Sequence, residues 1–493
     1  MEWHVINNKL SRNTPVVVSV ILKSINADFE LIKMLRQFFL IVLITVQGPT
    51  RAQIQPAEVK DSIHSKPLVA KAFAENISVR LFKSLSHLPV RIVYDSLNAV
   101  LYTCNTDGNV FRIPIINGTA GDETVFINTD EHKINYLQGM VFFENTLILV
   151  GNNNDSESSV GYGLVEKCTI RPDGSKDWIT MLVTEAYPSS GTLYDHAFAG
   201  VCLSPAKDSL YIASGSRTDH GEIKDAGIYT GLREVPLTAK IFRIPVNAVN
   251  VYLPNNDEAL YASGYVFASG VRNEFDMAFA GNGHLFGVEN SGDRDDPEEL
   301  NWLRHHHHYG FPWRMGGNDT PMQFAGFRPE KDKLIPADAL KRNIFYNDAA
   351  YPQRPGNVFF TEPVKNLGPD ANWLRDPTSG KMYQCASITT FTGHRSPVGL
   401  VFDVDSSFKA PFKGAGFVLA YSPEEAIGGY SPEQDRGGDL CWLQLIFNTA
   451  DNNYQVKTTR LVSGFFKLTD AEKVGNELFI TDLTGKVWRV AFR

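Results

Sequence analysis

Four short stretches of the chain hold the residue types that acid-base or metal chemistry needs. The densest is ENSGDRDDPEELNWLRHHHHYGFPW, Glu289 to Trp313, in which six carboxylates precede four consecutive histidines. Adjacent side chains point to opposite faces of an extended chain and lie about 100° apart on a helix, so at most two of His305 to His308 reach one ion. No spaced His and carboxylate partners accompany them, and the run reads as a surface turn. Asp293, Asp295, Asp296, Glu298 and Glu299 suit a hard cation better, since calcium takes roughly six to eight oxygen ligands. A solvated acidic loop fits the same composition, and EF-hand spacing is absent.

YDHAFAGV sets Asp195 beside His196 immediately before an apolar run. A histidine at a strand mouth can take a proton near neutral pH, and a neighbouring carboxylate can raise its basicity; a lone histidine is more often a structural group. RNEFDMAF offers Arg272, a planar fork of donors for oxygen, and the Asn273 amide at the head of another β run, where a salt bridge between loops is the alternative. NYLQGMVF places Gln138 in the same kind of position.

These groups can act together only if the chain carries strand mouths to a common point. Short β-branched and aromatic runs recur throughout, broken by Gly, Asn, Asp and Pro, and long stretches of helical periodicity are scarce after residue 53, which reads as all-β. LYTCNTDGNVFRI, Leu101 to Ile113, aligns without gaps on LFITDLTGKVWRV, Leu478 to Val490. Each copy predicts a hairpin whose glycine, Gly108 or Gly485, takes positive φ. Echoes near Leu147, Leu210, Lys240 and Leu285 make a β-propeller the expected architecture, with a β-sandwich or a pair of barrels as the alternative. Polar interruptions at 216–239 and about 315–392 are expected to form long loops over one face.

At 493 residues and 43% hydrophobic, the chain can bury a large core. A net charge of -8 without a basic stripe argues against nucleic acid as a partner. Five widely spaced cysteines without a CxxC pair indicate neither a zinc knuckle nor a dense disulfide framework. GxSxG, Walker, helix-opening GxGxxG and HExxH motifs are all absent, which weighs against serine hydrolase, nucleotide enzyme, Rossmann dehydrogenase and zincin.

Near the start, Met34, Arg36, the apolar run Phe38 to Val46 and Thr50-Arg51-Ala52 have signal-peptide anatomy, with Met34 as the expected start and cleavage after Ala52. Residues 1–52 are then extension and signal, 53–493 one propeller domain, and the location secreted or periplasmic. The apolar run is too short for a stable membrane anchor. Sequons at Asn76, Asn117, Asn154 and Asn318 accord with export.

The set LQGM, YDHAFAGV, SGVRNEFDMAF, VENSGDRDDPEELN followed by HYGFPW, and HRSPVGLVF resembles, in order, the soluble quinoprotein glucose/sorbosone dehydrogenases, over roughly Leu97 to Arg493. The resemblance implies a six-bladed propeller with bound pyrroloquinoline quinone (PQQ) and calcium. It further implies oxidation of a sugar at C1, with electrons passed to an external acceptor. His196 would be the general base and Asp195 its orienting partner; Arg272 and Asn273 would contact the quinone carbonyls, and Gln138 would lie beside cofactor and sugar. Ser291 and Gly292 would hold calcium through backbone carbonyls, with Glu298 and Glu299 bracing that loop, YGFPW forming the next strand and the histidines as bystanders. Of the family's late basic anchors for PQQ carboxylates this chain offers Lys467, with Arg395 as a substitute and Arg217 near another cofactor-facing position. A non-catalytic carbohydrate- or protein-binding propeller and a calcium-dependent lactonase are the alternatives on the same scaffold.

Overall fold

The computed structural model describes residues 67–155, 159–192, 194–421 and 435–493, all within one compact unit, Gln55–Arg493. The expected leader over residues 1–52 lies outside the described residues. Among them, no helix is long and apolar enough to cross a membrane.

The two aligned hairpins form as expected. Val100–Cys104 pairs with Val110–Ile116 and Glu477–Asp482 with Lys486–Phe492, and Gly108 and Gly485 turn at φ 96° and 76°. They are the middle of the first and last sheets of a ring whose innermost strands are Arg91–Asp95, Tyr136–Phe143, Phe198–Leu203, Glu274–Phe279, Pro397–Phe402 and Leu468–Val474. Each innermost strand packs against the next, and the last against the first. The last sheet is completed by Ile77–Ser84, which pairs antiparallel with Lys486–Phe492 and so closes the ring from the other end of the chain.

The ring holds five blades of four or more strands rather than the six expected. Between the third and fifth ring positions the sheet has only three strands, Glu274–Phe279, Leu285–Glu289 and Glu299–Leu303. Its outer edge is taken by irregular chain from the long insertion. Val364 N donates to Leu300 O at 2.8 Å, Leu300 N to Thr390 Oγ1 at 2.9 Å, and Glu298 and Phe391 exchange backbone bonds at 3.0 Å. The edge is satisfied and no fourth strand forms.

The insertion is itself more ordered than expected, since Lys365–Pro369 joins the fifth-position sheet beside Asn453–Ser463. YGFPW is a turn rather than a strand. The cores lie between neighbouring sheets; one joins Ile148, Val150 and Val165 to Phe198, Ile212 and Phe242, and another joins Phe417 and Leu440 to Ile480 and Val490. A separate small core forms under the insertion, where Met322, Ile335, Phe345 and Tyr351 pack on Tyr194.

Five innermost strands carry a register shift near their start, at Leu137/Gly139, Phe198/Val201, Glu274/Asp276, Pro397/Leu400 and Leu468/Asp470. Such bulges bend a strand and re-aim side chains. The strand starts are level around the axis: Arg91 Nε donates to Gln138 O at 2.8 Å, Asp276 accepts from Leu400 N at 2.7 Å and Asp470 from Ile92 N at 2.9 Å. Where no side chain bridges, glycine permits contact; a Cβ on Gly139 would stand 2.2 Å from Ala199 O. Gly139→Ala is therefore expected to lower stability by about 1–3 kcal/mol, the usual cost of overpacking, and denaturant titration measures it. A loss within error would mean that the ring is less tightly closed here.

Candidate functional site

Residues that open the innermost strands lie at one end of the ring. His196 precedes Phe198–Leu203, Arg272 and Asn273 precede Glu274–Phe279, and Gln138 occupies the bulge in Tyr136–Phe143. Ser216 ties two of these strand mouths together: its backbone O accepts from His196 N at 2.9 Å and its N donates to Arg272 O at 2.6 Å. Gly215 makes the approach possible, since a Cβ there would fall 2.0 Å from that of His196.

The His196 ring is set by Ser216. Its Nδ1 lies 3.2 Å from the Ser216 carbonyl and 3.1 Å from Ser216 Oγ, whose own proton goes to Thr218 O at 2.8 Å. A carbonyl only accepts, so Nδ1 carries the proton and Nε2 keeps its lone pair. Burial, and after it the positive charge of Arg272, pushes the ring down to about 3, so it is neutral at physiological pH. Asp195 does not orient it as expected. Its carboxylate accepts from Ser190 N at 2.6 Å and Gly191 N at 2.9 Å, capping the turn before the histidine, and burial raises it to about 6.

Arg272 is 4% exposed and locked by three bonds: Nε to Asp219 O at 2.8 Å, NH2 to Asp219 Oδ1 at 3.0 Å and NH1 to Asn290 O at 3.1 Å. Asn273 Nδ2 donates to Asn290 Oδ1 at 3.0 Å. Asp219 lies over the expected calcium turn, with both carboxylate oxygens 3.0 Å from where a Gly292 Cβ would stand. It also accepts from Asp293 N at 3.0 Å and His220 Nδ1 at 2.7 Å. Ser216, Asp219 and His220 fall in the polar interruption whose only sequence signal was its expected place over one face; their partners are remote in sequence.

Each carboxylate of the opening stretch has a partner within the protein. Glu289 accepts from Arg272 N and from Asn301 Nδ2 at 3.0 Å. Asp293 pairs with Arg342 and accepts from Tyr194 OH at 2.7 Å; Asp295 pairs with Arg375 and with His394 at 2.9 Å; Asp296 pairs with Arg294 and accepts from Asn318 at 2.8 Å. Glu298 braces the Ser291 turn as expected, accepting from Ser291 N at 2.7 Å and Ser396 N at 3.2 Å. Glu299 does not; it faces Gly316 N at 2.6 Å and Asn301 Nδ2 at 3.1 Å. No group of three His, Cys, Asp or Glu placed to hold a metal occurs among the described residues.

Two further expectations change. Arg395 is only 2% exposed and is held by Asp435 and Asp439, while Arg217 spends its guanidinium on backbone carbonyls including Pro188 O at 2.9 Å and Lys224 O at 2.6 Å. Lys467, just before Leu468–Val474, lies with Nζ 5.0 Å from the Phe466 ring centre. The histidines are mainly aromatic packing: the His305 and His306 rings lie tilted at 3.6 Å, His308 stacks on Phe360 at 4.9 Å, and His307 Nδ1 meets Thr361 Oγ1 at 2.7 Å.

Neither a family model nor a curated protein matches the chain. Solved structures do. The PQQ domain of a pyranose dehydrogenase from Coprinopsis cinerea, in its holo form, superposes with TM-score 0.51 at 12% identity, over 86% of this chain and 97% of that one. The soluble aldose sugar dehydrogenase of Escherichia coli gives 0.52 at 16% identity, over 85% and 100%, and a glucose dehydrogenase 0.53 at 13%, over 84% and 99%. The chain has the fold of the soluble sugar dehydrogenases. At this identity the likeness establishes that fold, and the chemistry rests on the residues above.

The ion pairs beneath the insertion have a pH signature. Burial works against the charged His394 ring, but the hydrogen bond and charge of Asp295, with Glu298 and Asp293, raise it to about 9. A histidine raised from its ordinary 6.5 stabilises fully below that value and loses the contribution as pH rises through about 9. Wild type should thus lose more thermal stability than His394→Gln between pH 6.5 and 9, as followed by melting temperature; parallel curves would remove His394 from the network.

Proposed function

We propose that the protein oxidises an aldose or related sugar at C1, with His196 taking the hydroxyl proton, PQQ accepting hydride and electrons leaving to an external acceptor. The carrying observation is the neutral His196, fixed by Ser216 with its Nε2 lone pair available beside Arg272. A base must be unprotonated at working pH and held in one tautomer, and both conditions are met.

The residues present fit the quinone end of PQQ. A guanidinium has five N–H donors, and three bonds hold Arg272 in place, so it can orient towards a ligand oxygen where negative charge grows. Asn273 and Gln138 would flank that oxygen, and Lys467 would meet a cofactor carboxylate. When bound, PQQ supplies the electrophilic carbon that accepts hydride. His196 holds the proton at Nε2 while Ser216 keeps Nδ1 protonated, so the ring becomes a cation only during the reaction. Its low basicity in the resting site makes that cation a strong acid, ready to lose the proton again.

Calcium does not fit as well. The acids around Ser291 and Gly292 are already paired with Arg272, Arg342, Arg375, His394 and backbone N–H groups, which leaves the two expected backbone carbonyls without a carboxylate to complete the set, so no step is assigned to the ion. Arg395 cannot anchor a PQQ carboxylate without breaking its buried ion pairs to Asp435 and Asp439, which it shares with Arg460. That commitment favours a second reading, a secreted carbohydrate-binding propeller without catalysis.

Dye reduction by protein reconstituted with PQQ, with a panel of sugars as donors, separates the two. His196→Ala should lower turnover by about two orders of magnitude or more; unchanged turnover rejects the base, and no turnover with any sugar favours the binding protein. In wild type, kcat/KM should stay level from pH 7 down to below 5, because His196 protonates only near 3. A fall centred near 6.5 would show an unperturbed histidine.

A further inference from the structure

We propose that Asp219 makes this site prefer uncharged sugars to sugar acids, by neutralising Arg272 from inside the protein. The proposal rests on the sugar-oxidising reading for its ligand class and deepens it with a residue that sets specificity.

An arginine at a ligand site ordinarily draws carboxylates, which its parallel N–H groups bind in a fork. Arg272 is prevented from doing so. Asp219 engages it twice, through its backbone O at Nε and through Oδ1 at NH2, at 2.8 and 3.0 Å. Asp219 is wholly buried, and it cannot swing away, because Asp293 N holds Oδ1, His220 Nδ1 holds Oδ2, and its own N donates to Glu222 Oε1 at 3.1 Å. Burial works against its charge, but the His220 hydrogen bond and Arg272 keep its carboxyl well below the ordinary range.

The cations around the pair are also committed. His220 is turned inwards, its Nε2 2.8 Å from Met322 Sδ and its ring stacked on Phe345 at 4.0 Å. Arg342 answers Asp293 and Tyr194. A hydroxyl or carbonyl oxygen entering beside His196 therefore meets donors with little net positive field. A carboxylate entering there meets the same donors with the buried Asp219 carboxylate behind them, and like charges in a dry site repel strongly. Asp219 is a positioning residue: it fixes the plane of Arg272 and cancels its charge without touching the sugar.

The test compares glucose with glucuronate on PQQ-equilibrated protein, both by kcat/KM in dye reduction and by saturation-transfer NMR without dye. Wild type should favour glucose by about tenfold or more, and the isosteric Asp219→Asn should narrow that ratio by a similar factor, while Asp219→Glu, which keeps the charge, restores part of it. A merely structural role would weaken both sugars alike and leave the ratio unmoved. Equal or tighter binding of glucuronate by wild type, which requires no variant to fold, overturns the proposal. So does an unchanged ratio in folded Asp219→Asn. Absence of binding by either sugar overturns the sugar reading itself and this inference with it, an outcome distinct from a sugar that binds without charge preference.

Discussion

Carboxylates cannot be taken out of water without a partner, and this constraint organises the structure above the ring. Six acids lie between Glu289 and Glu299, all part of a stretch that turns inwards at the mouth of the ring. Their partners come from far along the chain: Arg342, Arg375, His394, Gly316, Asn318 and Ser396. The long insertion is held by this need more than by its own secondary structure, which is sparse. Its apolar underside, built on Met322, Phe345 and Tyr351, adds a second attachment at Tyr194, two residues from the base. Replacing one partner would leave a buried charge alone, so the arrangement tolerates little piecemeal change.

The same logic shapes the site. Arg272 and Asp219 satisfy each other across a gap of some fifty residues, and Ser216 joins the Arg272 strand to the His196 loop. The base is tuned by burial and the nearby Arg272, which outweigh the opposing Ser216 bond and the more distant Asp219 charge, and no carboxylate bonds to its ring. It is consequently a weak base at rest, well positioned and always available, rather than a strong one that is partly protonated.

Sequence patterning exposed those features that are local. The paired hairpins at Leu101–Ile113 and Leu478–Val490, their positive-φ glycines and the alternation of strands and polar turns all follow from residues within a dozen positions. His196, Arg272, Asn273 and Gln138 could be picked out because each heads a strand, and a ring brings strand heads together. Side-chain partnerships across the fold were hidden. Asp195 is next to His196 in sequence, yet it turns to Ser190 and Gly191, and Arg395 looked available because Asp435 and Asp439 stand forty residues on. The missing blade strand was hidden for a related reason: the edge of Glu299–Leu303 is covered by chain from Val364 and Thr390 that has no strand pattern of its own.

The pairing of Ile77–Ser84 with Lys486–Phe492 carries a cost in time. The earliest described long strand has its partner some four hundred residues later, so during synthesis it waits, its hydrogen-bonding edge bare, until that partner has emerged. A chain cut short by a stalled ribosome or a late stop codon would keep that edge exposed and the last core, around Ile480 and Val490, unfinished. Cells making this protein would then need a chaperone or a protease most before Lys486–Phe492 has emerged.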